Sequence, residues 1–284
     1  MVRGTTVATR RRWPRWLRSP DFVVGSVFLM IFLGLAVFGP MLVPADTNQL
    51  NVMQRFKAPS AEHWFGTDAV GRDILGRVVA GTRISLLVVC IVLPIAVGIG
   101  TLLGAIGGYF GGTLDSFIMR VTDVFLAFPG FILAMAVNAV VGPGLTGAMI
   151  AIAFVWWPGY ARLIRGEVLM LKGTTFVEGA RALGGKDARI LWRHILPQTI
   201  TPVVVKMTLD VGYIILTTAT LSFLGLGAQP PTPEWGAMVN EGRAFIIDYW
   251  WWSTFPGLAI TICVIGFNIL GDGLREVLDP HKRL

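Results

Sequence analysis

The chain has 284 residues, of which 54% are hydrophobic and only 14% are charged, and its mean hydropathy is +0.66. A soluble globular domain carries about 25% charged residues, so this charge is too sparse to cover a water-exposed surface of this size. The composition therefore excludes an ordinary soluble protein and predicts an integral membrane protein. The two cysteines, Cys90 and Cys263, lie inside apolar runs and indicate no disulfide framework.

The predicted membrane helices are six apolar runs, each long enough to cross about 30 Å of hydrocarbon at about 1.5 Å per residue. In chain order they cover residues 22–43, 84–106, 121–141, 146–165, 201–223 and 254–275. The first run follows an arginine-rich start and could be mistaken for a signal peptide. It is longer than the usual apolar core of about 7–15 residues, and no small-residue cleavage pattern follows it. We therefore expect a retained first helix.

These runs divide the chain into five predicted parts. The parts are a basic tail (1–20), a first membrane helix (21–43), an extracytoplasmic segment (44–83), a five-helix core (84–275) and a short tail (276–284). Lys and Arg number 17 on the side of the N-terminal tail and 6 on the other side, so the positive-inside rule predicts that both termini are cytoplasmic. The net charge of +7 is then an orientation signal and not a footprint for nucleic acid.

A polar loop at 166–200 predicts a short helix–turn–helix on the cytoplasmic side. Thr175 and Glu178 have the spacing of a capping box, and Gly184 provides a helix stop in which a left-handed backbone is accessible. An apolar face with helical spacing is formed by Phe176, Ala180 and Leu183. A second short helix is expected at about 187–196. The pattern leaves two interpretations open, an amphipathic connector lying on the headgroups or a docking element for a cytoplasmic partner.

The same loop resembles the signature of ABC importer permeases, which reads Glu-Ala-Ala, three residues, Gly, nine residues, then Ile-x-Leu-Pro. The matching residues are Glu178-Gly179-Ala180, Gly184 and His194-Ile195-Leu196-Pro197. Gly179 and His194 depart from the signature, and Gly179 is expected to weaken the short helix by up to about 1 kcal/mol. The resemblance implies that an ATPase subunit is contacted by Thr175, Glu178, Gly179, Ala180, Leu183, Gly184, Ile195, Leu196 and Pro197.

Several other segments are similar to the C subunits of dipeptide and oligopeptide permeases. In chain order they are His63–Asp68, Gly71–Leu75, Gly81–Leu86, Gly107–Gly112, Phe125–Pro129, Leu221–Gly227 and Pro233–Gly236. They occur in the right order and extend over nearly the whole chain beyond residue 20. Because each motif is weak alone, the combination carries the resemblance.

The resemblance implies a type I ABC importer permease in a bacterial inner membrane. Such a subunit would pair with a homologous B-type permease, two cytoplasmic ATPases and an extracytoplasmic peptide-binding protein. The chain contains no Gly-x-x-x-x-Gly-Lys-Ser/Thr sequence, so we expect no cofactor in this chain, with ATP and Mg bound by the partners. No metal site and no nucleic-acid partner are expected.

Three polar residues inside the apolar runs are candidates for lining the translocation path: Asp210, Asn138 and Asn268. Hydrogen bonding between helices is the alternative role for such residues. Nickel or haem-type ligands are the alternative substrates, and an ion-coupled secondary carrier is the alternative mechanism. An intramembrane enzyme is disfavoured, because the sequence contains no His-Glu-x-x-His motif.

Overall fold

The computed structural model describes residues 19–43 and 47–278, so the predictions for the two tails lie largely outside the described residues. Ten α-helices occur in this part of the chain, and its only β-pairing is an isolated bridge between Thr67 and Asp73. The helices are α1 (Pro20–Leu42), α2 (Ile74–Phe110), α3 (Gly112–Ala127), α4 (Gly130–Val141), α5 (Leu145–Lys172), α6 (Thr175–Ala182), α7 (Asp187–Arg189), α8 (Ile200–Phe223), α9 (Trp235–Gly242) and α10 (Trp251–Leu278).

Five helical units in these residues are long and apolar enough to cross a membrane, and a bent pair of helices raises the number to six. This result agrees with the six predicted spans, but the third one differs in form. The run predicted at 121–141 is not one helix, because α3 and α4 meet at an angle of 93°. Phe128 is extended, with ψ 143°, immediately before Pro129. Proline disfavours a helical conformation in the residue before it and donates no backbone hydrogen bond, which explains the break.

The second span starts earlier than the sequence suggested. The polar stretch at 74–83, which belongs to the predicted external segment, forms the first turns of α2. Asp73 caps this helix, since its carboxylate accepts a 2.7 Å hydrogen bond from the backbone N–H of Gly76. With 37 residues, α2 is about 55 Å long and extends beyond the hydrocarbon of a bilayer.

Glycines allow the two central helices to approach closely. A Cβ atom added at Gly100 would lie 2.4 Å from the Cβ of Tyr160, and one at Gly104 would lie 2.3 Å from the carbonyl oxygen of Ala161. Such contacts between small residues drive helix packing in lipid, where burial of apolar surface gives little advantage. The α2–α5 contact therefore requires glycine at both positions.

The first helix packs against the last one. Phe28 and Phe32 of α1 both make edge-on ring contacts with Phe267 of α10, at centroid distances of 5.6 and 5.3 Å. A side chain at Gly266 would collide with the ring of Phe28, so this glycine creates the space that the ring occupies. These aromatic contacts attach α1 to the rest of the bundle.

Candidate functional site

The short helix α6 lies in the loop between α5 and α8, and its start differs from the prediction. Thr174, and not Thr175, occupies the N-cap position, and no side-chain hydrogen bond caps the helix. The Thr174 hydroxyl donates instead to the carbonyl oxygen of Leu171 at 2.5 Å, at the end of α5. The predicted capping box of Thr175 and Glu178 is therefore wrong, because the chain turns into α6 one residue earlier.

The predicted glycine stop is confirmed. Gly184 has a φ of +80°, a conformation that glycine adopts without steric cost. Its backbone N–H donates to the carbonyl of Arg181, and the N–H of Gly185 donates to the carbonyl of Ala180, both at 3.0 Å. This pair of bonds is a Schellman motif, which fixes the direction in which the chain leaves α6.

The second predicted helix of the loop runs without a break into the fifth span. Helix α7 continues as a π-helical turn (Ile190–Ile195) and a 3₁₀ turn (Leu196–Thr199) before α8 begins. Ile190 and Leu191 are buried, and so are Ile195 and Leu196. Pro197 has no backbone N–H to donate, which favours a change of helix type near this position.

The apolar face predicted on α6 exists, but most of it is turned away from the bundle. Phe176 is 42% exposed and Leu183 is 91% exposed, and Ala180 is half-buried. Val177, which the sequence analysis did not select, is fully buried and anchors the helix. Among the other predicted contact residues, the solvent-facing ones are Thr175, Glu178, Gly179, Gly184 and Pro197.

Tyr109, in the last turn of α2, connects this loop to the membrane helices. Its hydroxyl donates a 2.6 Å hydrogen bond to the Asp187 carboxylate and accepts a 3.4 Å bond from Arg181. The Nζ of Lys172, at the end of α5, donates to the Tyr109 carbonyl oxygen. The hydrogen bond to the Tyr109 hydroxyl raises the pKa of Arg181. No sequence pattern indicates this role beyond the Gly107–Gly112 segment in which Tyr109 lies.

The three candidates for lining the path lie in different surroundings. Asp210 is buried, and its two carboxylate oxygens lie 3.0 and 3.2 Å from the Nζ of Lys206, one turn earlier on α8. Asn138 is also buried and donates a 2.8 Å hydrogen bond to the carbonyl of Leu226, so it joins α4 to the turn after α8 and not to another helix. Asn268 on α10 is partly exposed. No hydrogen bond or ion pair joins any two of these three side chains in the described part of the chain.

A buried cluster of charges, which the sequence analysis missed, joins the outer segment to α2 and α9. The Asp68 carboxylate lies 2.5 Å from the Nε of Arg72 and 3.0 Å from the Nη1 of Arg77. Glu241 on α9 accepts from Arg72 at 3.0 Å. Because Arg72 and Glu241 are 169 positions apart in the sequence, no local pattern indicates the contact.

Comparison with known proteins identifies the family. Residues 100–284 match the family described as "Binding-protein-dependent transport system inner membrane component". Residues 8–59 match the "N-terminal TM domain of oligopeptide transport permease C". Together the two matches cover the chain except for residues 1–7 and 60–99.

Relatives of known name are similar over almost their entire length. The chain is 45% identical over 262 residues to a probable D,D-dipeptide transport system permease protein of Escherichia coli (strain K12), covering 92% of this chain and 88% of the relative. It is 44% identical over 286 residues to a glutathione transport system permease protein of Pectobacterium atrosepticum, covering 100% and 95%. It is 46% identical over 261 residues to a dipeptide transport system permease protein of Alkalihalophilus pseudofirmus, covering 92% and 86%.

A solved structure shares the fold. The inward-facing MetNI methionine ABC transporter aligns with a TM-score of 0.59 at 19% identity, covering 72% of this chain and 98% of that chain. At this identity the likeness shows the type I importer permease fold alone. The chain thus belongs to the binding-protein-dependent transport system inner membrane components, and it is a multi-pass permease of the bacterial inner membrane.

Proposed function

We propose that this chain is one of two permease subunits of an ATP-driven importer of di- or oligopeptides, and that the loop at 174–197 couples it to a cytoplasmic ATPase. The observation that carries the coupling role is the outward apolar surface of α6. Phe176 and Glu178 in α6 and Leu183 directly after it are all exposed. Exposed apolar groups clustered within a polar surface are typical of a protein–protein contact.

The attachment of α6 to the bundle supports a mechanical role. Val177 anchors the helix from below, and Tyr109 and Lys172 connect the loop to the ends of α2 and α5. The segment after α6 runs directly into α8. A displacement of α6 by a closing ATPase would therefore reach three membrane helices as a rigid-body movement.

The family and the named relatives support the proposed partner subunits and substrate. A permease that depends on a binding protein receives its substrate from an extracytoplasmic protein, and in this proposal ATP and Mg are bound by two ATPase subunits, with no cofactor in this chain. A homologous B-type permease would form the other half of the path. The three relatives are named for dipeptide, D,D-dipeptide and glutathione transport, which favours a peptide over nickel or haem-type ligands. The family's dependence on a binding protein disfavours a self-contained ion-coupled carrier.

Among the three candidates for lining the path, the side-chain contacts favour Asp210. It is the charged one of the three, and in this proposal it acts together with Lys206. The Lys206 ammonium lies 4.9 Å from the centre of the Tyr160 ring and reaches deeper along α8, toward Asp210. A lysine that faced lipid would extend toward the nearer membrane surface. Because the Lys206 side chain extends the other way, we place Lys206 beside the path or beside a partner subunit.

Co-purification tests the coupling role. The tagged chain is expressed with the other genes of its operon, and the ATPase subunits recovered with it are quantified. We expect Leu183→Asp to abolish recovery of the ATPases while the second permease is retained. The matched control is Leu50→Asp, an equally drastic change at an exposed leucine of the outer segment, which should leave recovery unchanged. Full recovery of the ATPases with Leu183→Asp would contradict the docking role.

A further inference from the structure

An open cavity of about 640 Å³ lies where the loop meets the ends of α2 and α5. This volume is in the range of about 300–1,000 Å³ found for small-molecule sites. Its side chains are those of Tyr109, Phe110, Lys172, Arg181, Lys186 and Asp187. The hydrogen bonds of Tyr109 described above use its carbonyl and hydroxyl groups and leave the cavity open.

Cations predominate in this cavity. The lining includes three cationic side chains, those of Lys172, Arg181 and Lys186. It includes one carboxylate, that of Asp187, which already accepts the hydrogen bond from Tyr109. The Nζ of Lys172 and the guanidinium carbon of Arg181 lie 5.4 and 5.9 Å from the centre of the Tyr109 ring. The side chain of Lys186 has no hydrogen-bond or ion-pair partner among residues 19–43 and 47–278. Arg181 lies 4.0 Å from the Asp187 carboxylate, so the positive charges of Lys172 and Lys186 remain without a carboxylate partner among the described residues.

Given the cytoplasmic loop proposed above, the cavity lies at the inner ends of two membrane helices. Phe110 is the last residue of α2, and Lys172 is the last residue of α5, so both membrane helices end at its wall. The Phe110 ring is 56% exposed beside the cations. A phosphate group attached to apolar chains would meet both features, because its anion would contact the lysines and its glycerol and acyl region would contact the ring.

We propose that this cavity binds the phosphate of an anionic phospholipid from the inner leaflet. The assignment rests on the proposed cytoplasmic position of the loop, but it requires no contact with an ATPase. A free phosphate ion has the same chemistry toward the lysines. The lipid is favoured because Phe110 is exposed at the cavity and because both helices end there. Since Arg181 and Asp187 belong to the loop, a bound headgroup would join the loop to α2 and α5.

Lipid titration of the purified complex provides the test. The complete transporter in neutral detergent is titrated with phosphatidylglycerol, and the lipid-bound fraction is followed by native mass spectrometry. A basic residue near a phosphate surface changes lipid affinity on the order of fivefold. We expect about a thirtyfold loss of affinity for Lys172→Gln combined with Lys186→Gln. Lys186→Gln alone should lose about fivefold, and this exposed side chain can be changed without affecting folding. The matched control is Lys57→Gln in the outer segment, which should not change the affinity.

Each other outcome overturns the assignment. Equal affinity for phosphatidylcholine would mean that the cavity does not select an anionic headgroup. Displacement of the lipid by an equimolar amount of inorganic phosphate would make the site a free-anion site. Unchanged affinity in the double variant would place the lipid elsewhere. The amount of ATPase recovered in the same samples tests the proposed function separately. Loss of the ATPases with normal lipid binding would leave the lipid site unaffected and would concern only the docking role.

Discussion

The hydroxyl of Tyr109, in the last turn of α2, donates a 2.6 Å hydrogen bond to the carboxylate of Asp187, 78 positions later in the chain. This bond joins a membrane-spanning helix directly to the segment that leads from α6 into α8. The same hydroxyl accepts a 3.4 Å hydrogen bond from Arg181, so Tyr109 contacts both α6 and the segment that follows it.

Removing this bond is expected to weaken coupling without preventing assembly. Tyr109→Phe deletes the hydroxyl and keeps the ring, at a cost of about 1 kcal/mol, which corresponds to about fivefold in an equilibrium between two loop positions. We expect peptide uptake per ATP hydrolysed to fall while the ATPases still co-purify. Uptake and ATP hydrolysis are measured in proteoliposomes. Tyr213→Phe on α8 is the control, since its exposed ring has no described hydroxyl partner, and equal coupling in the two variants would contradict the role of Tyr109.

The α2–α5 contact predicts opposite responses at two glycines of the same helix. Gly104→Ala places a methyl group 2.3 Å from the Ala161 carbonyl oxygen, so the helices must separate. We expect a loss of about 1–3 kcal/mol in the free energy of unfolding. Gly98→Ala has no atom within 4 Å of the new carbon and should be neutral or stabilising by up to about 1 kcal/mol. Thermal unfolding in detergent distinguishes the two, and a similar midpoint for both would mean that close packing does not limit stability.

The buried charge cluster predicts a large effect in the outer segment. Asp68 is 0% exposed, and Asp68→Asn leaves the guanidinium groups of Arg72 and Arg77 with only Glu241 as a charged partner. Breaking a buried ion pair from one side costs about 3–5 kcal/mol.

The thermal midpoint of this variant should therefore fall sharply. Glu62→Gln is the control, since Glu62 is exposed and makes only a 3.8 Å contact with Lys57. Its effect should stay within about 0.5 kcal/mol. A wild-type midpoint for Asp68→Asn would show that the cluster adds no net stability.

Glu234 predicts a pH dependence of stability. Burial raises the pKa of this carboxyl, and hydrogen bonds from the backbone N–H groups of Ala237 and Gly236 and from Ser222 offset part of the shift. A group whose pKa is raised in the folded state binds its proton more tightly there than in the unfolded chain. Its contribution is therefore fully present below the unfolded pKa of about 4.5 and is lost as pH rises through the higher folded value.

Glu234→Gln should flatten this part of the stability profile, because the amide keeps an oxygen to accept from Ala237 and has no proton to lose. Unfolding midpoints of wild type and variant are compared from pH 4 upward, about the range in which a carboxyl with a raised pKa titrates. Parallel profiles would mean that Glu234 does not contribute to the pH dependence.

The Lys206–Asp210 pair is tested by single and double substitution. Asp210→Asn removes the partner of a lysine inside a membrane span, and we expect reduced uptake by a transporter that still assembles. The double variant Lys206→Met with Asp210→Asn restores neutrality. If the pair is only structural, the double variant regains uptake, and if the charges face the peptide path it does not. Normal uptake by Asp210→Asn itself would remove Asp210 from the path.

The sequence determined the features that depend on neighbouring residues. The apolar runs fixed the number and approximate position of the spans, since about 20 apolar residues cross a bilayer as a helix in any context. Gly184 marked the end of α6 because its left-handed conformation is a local property of glycine. The resemblance of the loop and of the outer segment to known permeases also identified the family before any contact was known.

Tertiary structure decided the features that depend on distant contacts. The packing of the helices decides that Val177, and not Phe176, anchors α6. It also decides that Asp210 contacts Lys206 and that Arg72 contacts Glu241. The break at Pro129 was readable as a local signal, but its angle of 93° was not. Because packing in lipid is set by small residues and buried polar contacts between separate helices, hydropathy locates the spans and leaves their partners undetermined.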